Sequence, residues 1–208
     1  AFANVNAPNA TVSNLGRGKN ILRWSITNQG CTTTADVEVT NDLPSDAYAG
    51  NNQEICVSNT TLDATAVTIG TGSWHVLTGA GIVTALNEPK SAITSLSQGD
   101  NVLQWRVVNN LCTLTDEVLI KNNIPSQPYA GSDFESCNNT INLKAAPPAY
   151  GAGTWSIVSG AGNIRFINQP ETEVTNLKAD INVFKWEVVR GNCRLQDSIT
   201  VTNNTPTK

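Results

Sequence analysis

Five cysteines are the residues of this 208-residue chain whose type and spacing could do chemistry. Cys31, Cys56, Cys112, Cys137 and Cys193 are too far apart for the close C-x-x-C pairs of a zinc site, so metal or redox chemistry is not expected. The spacing predicts structural disulfides between Cys56 and Cys112 and between Cys137 and Cys193. Each would close a loop of roughly 57 residues and stabilise by about 4 kcal/mol on the chain-entropy model.

Two other interpretations of the cysteine spacing remain open. The thiols could be reduced and lie in the core, or Cys31 with Cys56 and Cys112 with Cys137 could link neighbouring units. Under the preferred pairing, the partner of Cys31 would lie before Ala1, which leaves Cys31 unpaired.

The ionisable side chains do not assemble into a catalytic set. His75 lies between Trp74 and Val76 in an alternating stretch, so it is expected on an outer face, without a Ser/His/Asp or Cys/His partner set. Asp116 and Glu117 are adjacent in a strand and therefore point to opposite faces. The sequence predicts that the chain is not an enzyme.

Carboxylates near the joints between units could bind calcium through oxygen ligands. The candidates are Asp46, Asp116, Asp133, Glu135 and Asp197. No dense D-x-D-x-D run occurs, and one repeat period before Asp133 the chain has an asparagine. No cofactor is therefore expected, and interdomain calcium is kept as an alternative to acids that are solvated or bonded to turn backbone.

Composition excludes several partners. Charged residues make up 14% of the chain, the net charge is −4, and no apolar run approaches the roughly 18 residues of a membrane span. Without a basic surplus the chain cannot neutralise a nucleic-acid backbone. Neither nucleic-acid binding nor membrane insertion is expected.

An internal repeat of 81 residues organises the whole chain. Residues 45–125 align on 126–206 without a gap and share 29 of 81 positions, far above chance. A proline ends each period, which favours unit boundaries there. The predicted domains are 1–44, the C-terminal half of a truncated repeat, and the complete repeats 45–125 and 126–208.

Alternation within each period predicts about seven short strands and no helix. The fold class is therefore all-β, with tandem immunoglobulin-like antiparallel β-sandwiches. Tryptophans fall on the apolar faces and are expected in the cores: Trp24, Trp74, Trp105, Trp155 and Trp186. Half a sandwich standing alone would expose Trp24 and leave a sheet edge bare, so either the polypeptide continues upstream or another chain supplies the missing strands.

Three strings carry a family resemblance: AGSDFESC at 130–137, GAGTWSIVSGAG at 151–162 and NVFKWEV at 182–188. They resemble the immunoglobulin-like or PKD-like repeats of giant Bacteroidota cell-surface proteins. These include the gliding-motility adhesins of the SprB type, which are exported by type IX secretion. The resemblance implies a repeat module of a cell-surface adhesin, used in gliding or surface attachment.

The expected function is that of a structural stalk segment in a large secreted adhesin. The alternatives are a glycan-binding module that uses the loops at the sandwich ends, and a spacer beside an exported enzyme. Disulfides imply an oxidising, extracellular location at the cell surface. Expected partners are neighbouring repeats of the same polypeptide, with surface glycans or other cell-surface proteins as further possibilities. Segments 57–69 and 138–150 differ most between the two complete units, so a binding loop is sought there first.

Overall fold

The structure is a computed structural model that describes residues 1–206, all of them in strands, turns and irregular segments. The all-β prediction is confirmed. In chain order the strands are β1 Gly18–Asn28, β2 Cys31–Asn41, β3 Gln53–Ile55, β4 Thr60–Thr61, β5 Thr71–Thr78, β6 Ile82–Val83, β7 Ala92–Thr94, β8 Gly99–Asn109, β9 Cys112–Asn122, β10 Phe134–Ser136, β11 Ile141–Lys144, β12 Ala152–Ser159, β13 Asn163–Ile164, β14 Glu171–Thr175, β15 Asp180–Arg190 and β16 Cys193–Asn203.

Each complete repeat is a sandwich of a four-stranded and a three-stranded sheet. The orders are β3-β9-β8-β5 with β4-β7-β6, and β10-β16-β15-β12 with β11-β14-β13. All neighbouring strands are antiparallel except the first strand of each unit, which runs parallel to the last, as β3 does to β9 and β10 to β16. The chain is thus a tandem array of immunoglobulin-like sandwiches, as predicted.

A tilted pair of tryptophans fills the centre of each sandwich. Trp74 on β5 lies directly opposite Trp105 on β8, with ring centroids 5.0 Å apart. Both are buried, as are Trp155 and Trp186 in the second sandwich, whose centroids are 5.1 Å apart. Alternation places these rings inward, and two indoles supply much of the apolar area that such a small unit can bury.

The half repeat keeps the long hairpin and part of the covering sheet. Strands β1 and β2 pair over their full length, and residues 1–14 fold back through an isolated bridge between Phe2 and Val12. This bridge matches the pairing of Val83 with Ile93 one period later. Trp24 was predicted to lie in the core but is only half-buried, because the segment covers it in part and a cavity of about 490 Å³ remains beside its ring.

The outer face of this hairpin carries an exposed ion pair. Arg23 Nε donates to Asp36 Oδ1 at 2.7 Å and Nη2 donates to Oδ2 at 2.9 Å. The hydrogen bond from Arg23 lowers the pKa of the Asp36 carboxyl below its ordinary value, and the same bond raises the pKa of Arg23.

The strands of the two complete sandwiches span residues 53–122 and 134–203. Division of the chain at the prolines stays a prediction, and residues 207–208 of its last unit lie outside the described residues. No helix among residues 1–206 is long and apolar enough to cross a membrane.

Candidate functional site at the joint between repeats

A disulfide joins the two complete repeats. Cys56, which follows β3 of the middle repeat, is bonded to Cys193, the first residue of β16 in the last repeat. Their Cα atoms are 5.3 Å apart, and 137 positions separate them in the sequence. The bond therefore locks one sandwich to the next.

The predicted pairing of Cys56 with Cys112 and of Cys137 with Cys193 is wrong, and strand register gives the reason. Ile55 at the end of β3 pairs with Asn122 at the end of β9, whereas Cys112 begins β9. At about 3.3 Å per residue, the two cysteines of one repeat lie roughly 30 Å apart, at opposite ends of the sandwich. A disulfide requires Cα atoms within about 7 Å.

The alternative pairing across the linker, Cys31 with Cys56 and Cys112 with Cys137, is also wrong. Cys31, Cys112 and Cys137 have free thiols, of which those of Cys31 and Cys137 are exposed and that of Cys112 is half-buried. Cys112 begins β9 of the middle repeat. Cys137 follows β10 of the last repeat, and β10 pairs with the C-terminal end of β16 in that same repeat. These two cysteines therefore lie about two sandwich lengths apart.

A glycine turn fits this joint closely. Gly191, in the turn between β15 and β16, has φ +56°, and a Cβ there would lie 3.0 Å from Asn123 Nδ2 of the preceding repeat. Next to this turn, Cys193 is 3% exposed, and its Sγ lies 3.5 Å from the carbonyl oxygen of Ile55. The hairpin turn of one repeat thus packs on the end of the repeat before it.

The preceding joint has related contacts. Asn109, one period before Arg190, donates from Nδ2 to the carbonyl oxygen of Asp42 at 3.0 Å. Arg17 of the half repeat forms a 2.6 Å ion pair with Asp46 in the linker. Asp46, a candidate calcium ligand, therefore contacts a guanidinium group in this structure.

The linker itself is anchored by a serine. Ser45 is 7% exposed, and its Oγ accepts hydrogen bonds from the N–H groups of Thr68 and Ile69 at 2.9 and 2.7 Å. One period later, Ser126 Oγ accepts from Tyr150 N at 2.7 Å. Proline followed by an anchored serine leaves this connection little freedom to bend.

Aspartate and asparagine side chains tie the segment after the linker to the last strand of its own repeat. Asp116 Oδ2 accepts from Ala49 N at 2.8 Å, and Asn52 Oδ1 accepts from Leu119 N at 2.9 Å. The second sandwich repeats both bonds, with Asp197 accepting from Ala130 N and Asp133 from Thr200 N. In all four the two residues are 67 positions apart, so the segment runs alongside the strand in register.

In the structure, four of the candidate calcium ligands accept hydrogen bonds within their own repeat. Asp116, Asp133 and Asp197 cap backbone N–H groups, and Glu135 Oε2 accepts from Asn204 Nδ2 at 2.9 Å. Among residues 1–206, no cluster of three or more His, Cys, Asp or Glu side chains could hold a metal ion. Calcium binding at the joints stays a proposal.

Because Asn52 and Asp133 play the same part, Asp133→Asn should leave stability within about 0.5 kcal/mol of the parent. Asp133→Ala should lower the free energy of unfolding by about 1 kcal/mol, since it leaves the Thr200 N–H without its acceptor. Urea denaturation of both variants checks this. Equal losses in the two would show that the charge of Asp133, and not its acceptor oxygen, matters.

The chain's single histidine has one hydrogen-bond partner among the described residues. His75 Nε2 lies 3.0 Å from Ser73 Oγ, and both side chains are at the surface of β5. Within residues 1–206 no carboxylate is hydrogen-bonded to the ring, so in this part of the chain the pair has no third group to activate a nucleophile.

No family model and no curated protein matches the chain. Among solved structures, it is similar to the insect immune protein hemolin, at 9% identity and a TM-score of 0.49, covering 88% of this chain and 56% of that one. It is similar to the titin I-band fragment I67–I69, at 11% identity and 0.44, covering 90% and 75%. It is also similar to extracellular domains 3–5 of Drosophila OTK, at 10% identity and 0.41, covering 88% and 69%.

Proposed function

We propose that this chain is a stalk segment of a large secreted cell-surface adhesin. Its work is to hold a more distal binding region at a set distance from the cell. The resemblance of its repeats to those of gliding-motility adhesins supports a role in surface attachment or gliding. The segment is extracellular, at the cell surface, because its disulfide needs an oxidising compartment.

One observation carries the proposal: the disulfide between Cys56 and Cys193 fixes one sandwich to the next. A catalytic or freely hinged module gains nothing from a covalent bond across its joint, whereas a spacer gains a fixed orientation. The serine anchors in the linkers and the packed turn at Gly191 act in the same direction.

A second candidate function, glycan binding, is favoured by one feature of the last repeat. A cavity of about 390 Å³ lies between Pro148, Asn168 and the edge of the buried Trp186 ring. Trp186 Nε1, like Trp105 Nε1 one period earlier, is buried without a hydrogen-bond partner in the described chain, and Pro148 belongs to the divergent segment 138–150. An N–H group beside proline and asparagine could donate to a sugar hydroxyl.

Replacement of the repeats in the parent adhesin tests the stalk function. Removing residues 45–206 should weaken attachment of cells to a surface, and an unrelated array of two β-sandwiches should restore it, because only length and stiffness matter. Failure of the unrelated array to restore attachment would contradict the stalk function. Direct binding of the isolated chain to a glycan array, abolished by Asn168→Ala, would establish the second candidate instead.

A further inference from the structure

We propose that consecutive repeats are linked in a continuous disulfide ladder. We call the cysteine that follows the first strand of a repeat its early cysteine, and the cysteine that begins the last strand its late cysteine. In the ladder, the early cysteine of each repeat is bonded to the late cysteine of the following repeat. The bond between Cys56 and Cys193 is one rung of this ladder. The inference deepens the proposed stalk function and rests on it.

In this ladder, each of the three free thiols belongs to a disulfide whose second cysteine lies in a neighbouring repeat outside the 208 residues. Cys137 is an early cysteine, and the separation of 137 positions places its partner in a repeat after Lys208. Cys112 and Cys31 are late cysteines, and the same separation places their partners before Ala1. Flanking repeats of the same polypeptide would supply all three partners. Cys31 and Cys137 are exposed, and Cys112 is half-buried.

The ladder changes the path that a pulling force takes. A covalent path runs from Cys112 through 25 residues to Cys137, and then crosses a rung into the following repeat. Each such step advances two repeats. At about 3.3–3.6 Å per extended residue, 25 residues reach about 85 Å, whereas the 162 residues of two uncrosslinked periods reach about 550 Å.

That path is already extended in the folded chain. It begins with the eleven residues of β9 and ends with a segment that lies in register along β16, from Ala130 beside Asp197 to Ser136 beside Asn203. An eleven-residue strand measures about 36 Å, so two sandwiches and their joint come close to the reach of the path.

The ladder therefore carries the load around the sandwich cores. The residues between Cys137 and Cys193, which include both core tryptophans of the last repeat, lie outside the shortest covalent path. Under tension the path becomes taut before the core strands separate. A stalk built in this way resists stretching even where a single sandwich is only marginally stable.

Each rung forms by thiol–disulfide exchange. The two cysteine thiols lose two protons and two electrons, and the incoming disulfide of a thiol–disulfide oxidoreductase leaves as two thiols. Oxidised glutathione supplies the same oxidant chemistry in solution, and it leaves as two molecules of reduced glutathione.

Single-molecule pulling of the 208-residue chain by its ends tests the load path. With the disulfide intact, the loop between Cys56 and Cys193 should not extend. Reduction should add about 450–490 Å of contour length, the reach of 137 residues. Cys56→Ser should give this longer contour length without reductant. The control variant Cys112→Ser should have the same contour length as the oxidised parent. Equal contour lengths before and after reduction would overturn the proposal.

A chain lengthened by a second copy of residues 126–206 after Pro206 tests the ladder itself. After refolding with oxidised and reduced glutathione, non-reducing peptide mapping should find Cys137 bonded to the late cysteine of the added repeat, and Cys56 still bonded to Cys193. A bond between Cys137 and Cys193, or a free Cys137, would overturn the ladder. The attachment test is independent of this mapping, so each proposal can fail without the other.

Discussion

Asn101→Ala is expected to lower the free energy of unfolding of the middle repeat by about 3–4 kcal/mol. Asn101 is fully buried, and its Oδ1 accepts from Ala80 N, Ser97 N and Ser97 Oγ. Its Nδ2 donates to the carbonyl oxygens of Ser97, Gly99 and Ile120. One side chain thus forms hydrogen bonds with buried backbone groups of the turn after β5, the loop before β8 and strand β9.

Alanine at this position would leave several buried backbone groups without partners, each of which costs about 1–3 kcal/mol. Urea denaturation followed by tryptophan fluorescence measures the loss. Asn51→Ala, at an exposed position, should change stability by less than about 0.5 kcal/mol. If Asn101→Ala unfolds at the same urea concentration as this control, the network does not stabilise the sandwich.

The half repeat provides a matched comparison. Asn20, one period before Asn101, donates to the carbonyl oxygens of Gly16 and Gly18, and its Oδ1 has no hydrogen bond among the described residues. Asn20→Ala should therefore cost less than Asn101→Ala. Asn182 of the last repeat keeps bonds to Ala161, Lys178 and Asp180, so Asn182→Ala should destabilise its own sandwich strongly.

Trp105→Ala is expected to destabilise the middle repeat by about 4 kcal/mol, the usual cost of removing a large buried aromatic side chain. Trp105 is 0% exposed and packs against Trp74, and Gly72 leaves room for its ring, since a Cβ on Gly72 would overlap the ring. The surrounding strands are held by their ladders and cannot collapse into the space. Thermal unfolding monitored by circular dichroism measures the loss.

Trp24→Ala is the control for the core prediction. Trp24 occupies the same register one period earlier but is only half-buried, so its removal should cost clearly less. Trp105→Phe keeps an aromatic ring and provides a folded variant if the alanine protein does not fold. Equal losses at Trp24 and Trp105 would contradict the assignment of the tryptophan pair as the centre of the core.

Much of the fold could be predicted from particular residues. Alternation around Trp105, with Leu103 and Val107 on the same face, predicts strand β8 and its buried side, because side-chain direction in a strand depends only on position. The 81-residue period then transfers each strand to the next repeat. The acceptor role of Asp116 could not be predicted in this way, because a carboxylate shows its partner only when the chain folds back on it.

The sequence by itself determined the period, the strands and the inward faces of the tryptophans, because these are local properties of the chain. Only the tertiary structure decided which cysteines bond. Sequence spacing shows that Cys56 and Cys137 are equivalent, but not at which end of the sandwich each lies. Parallel pairing of β3 with the end of β9 carries Cys56 away from Cys112 and to the joint with Cys193. Strand direction is a long-range property, so the bond between repeats followed from the fold.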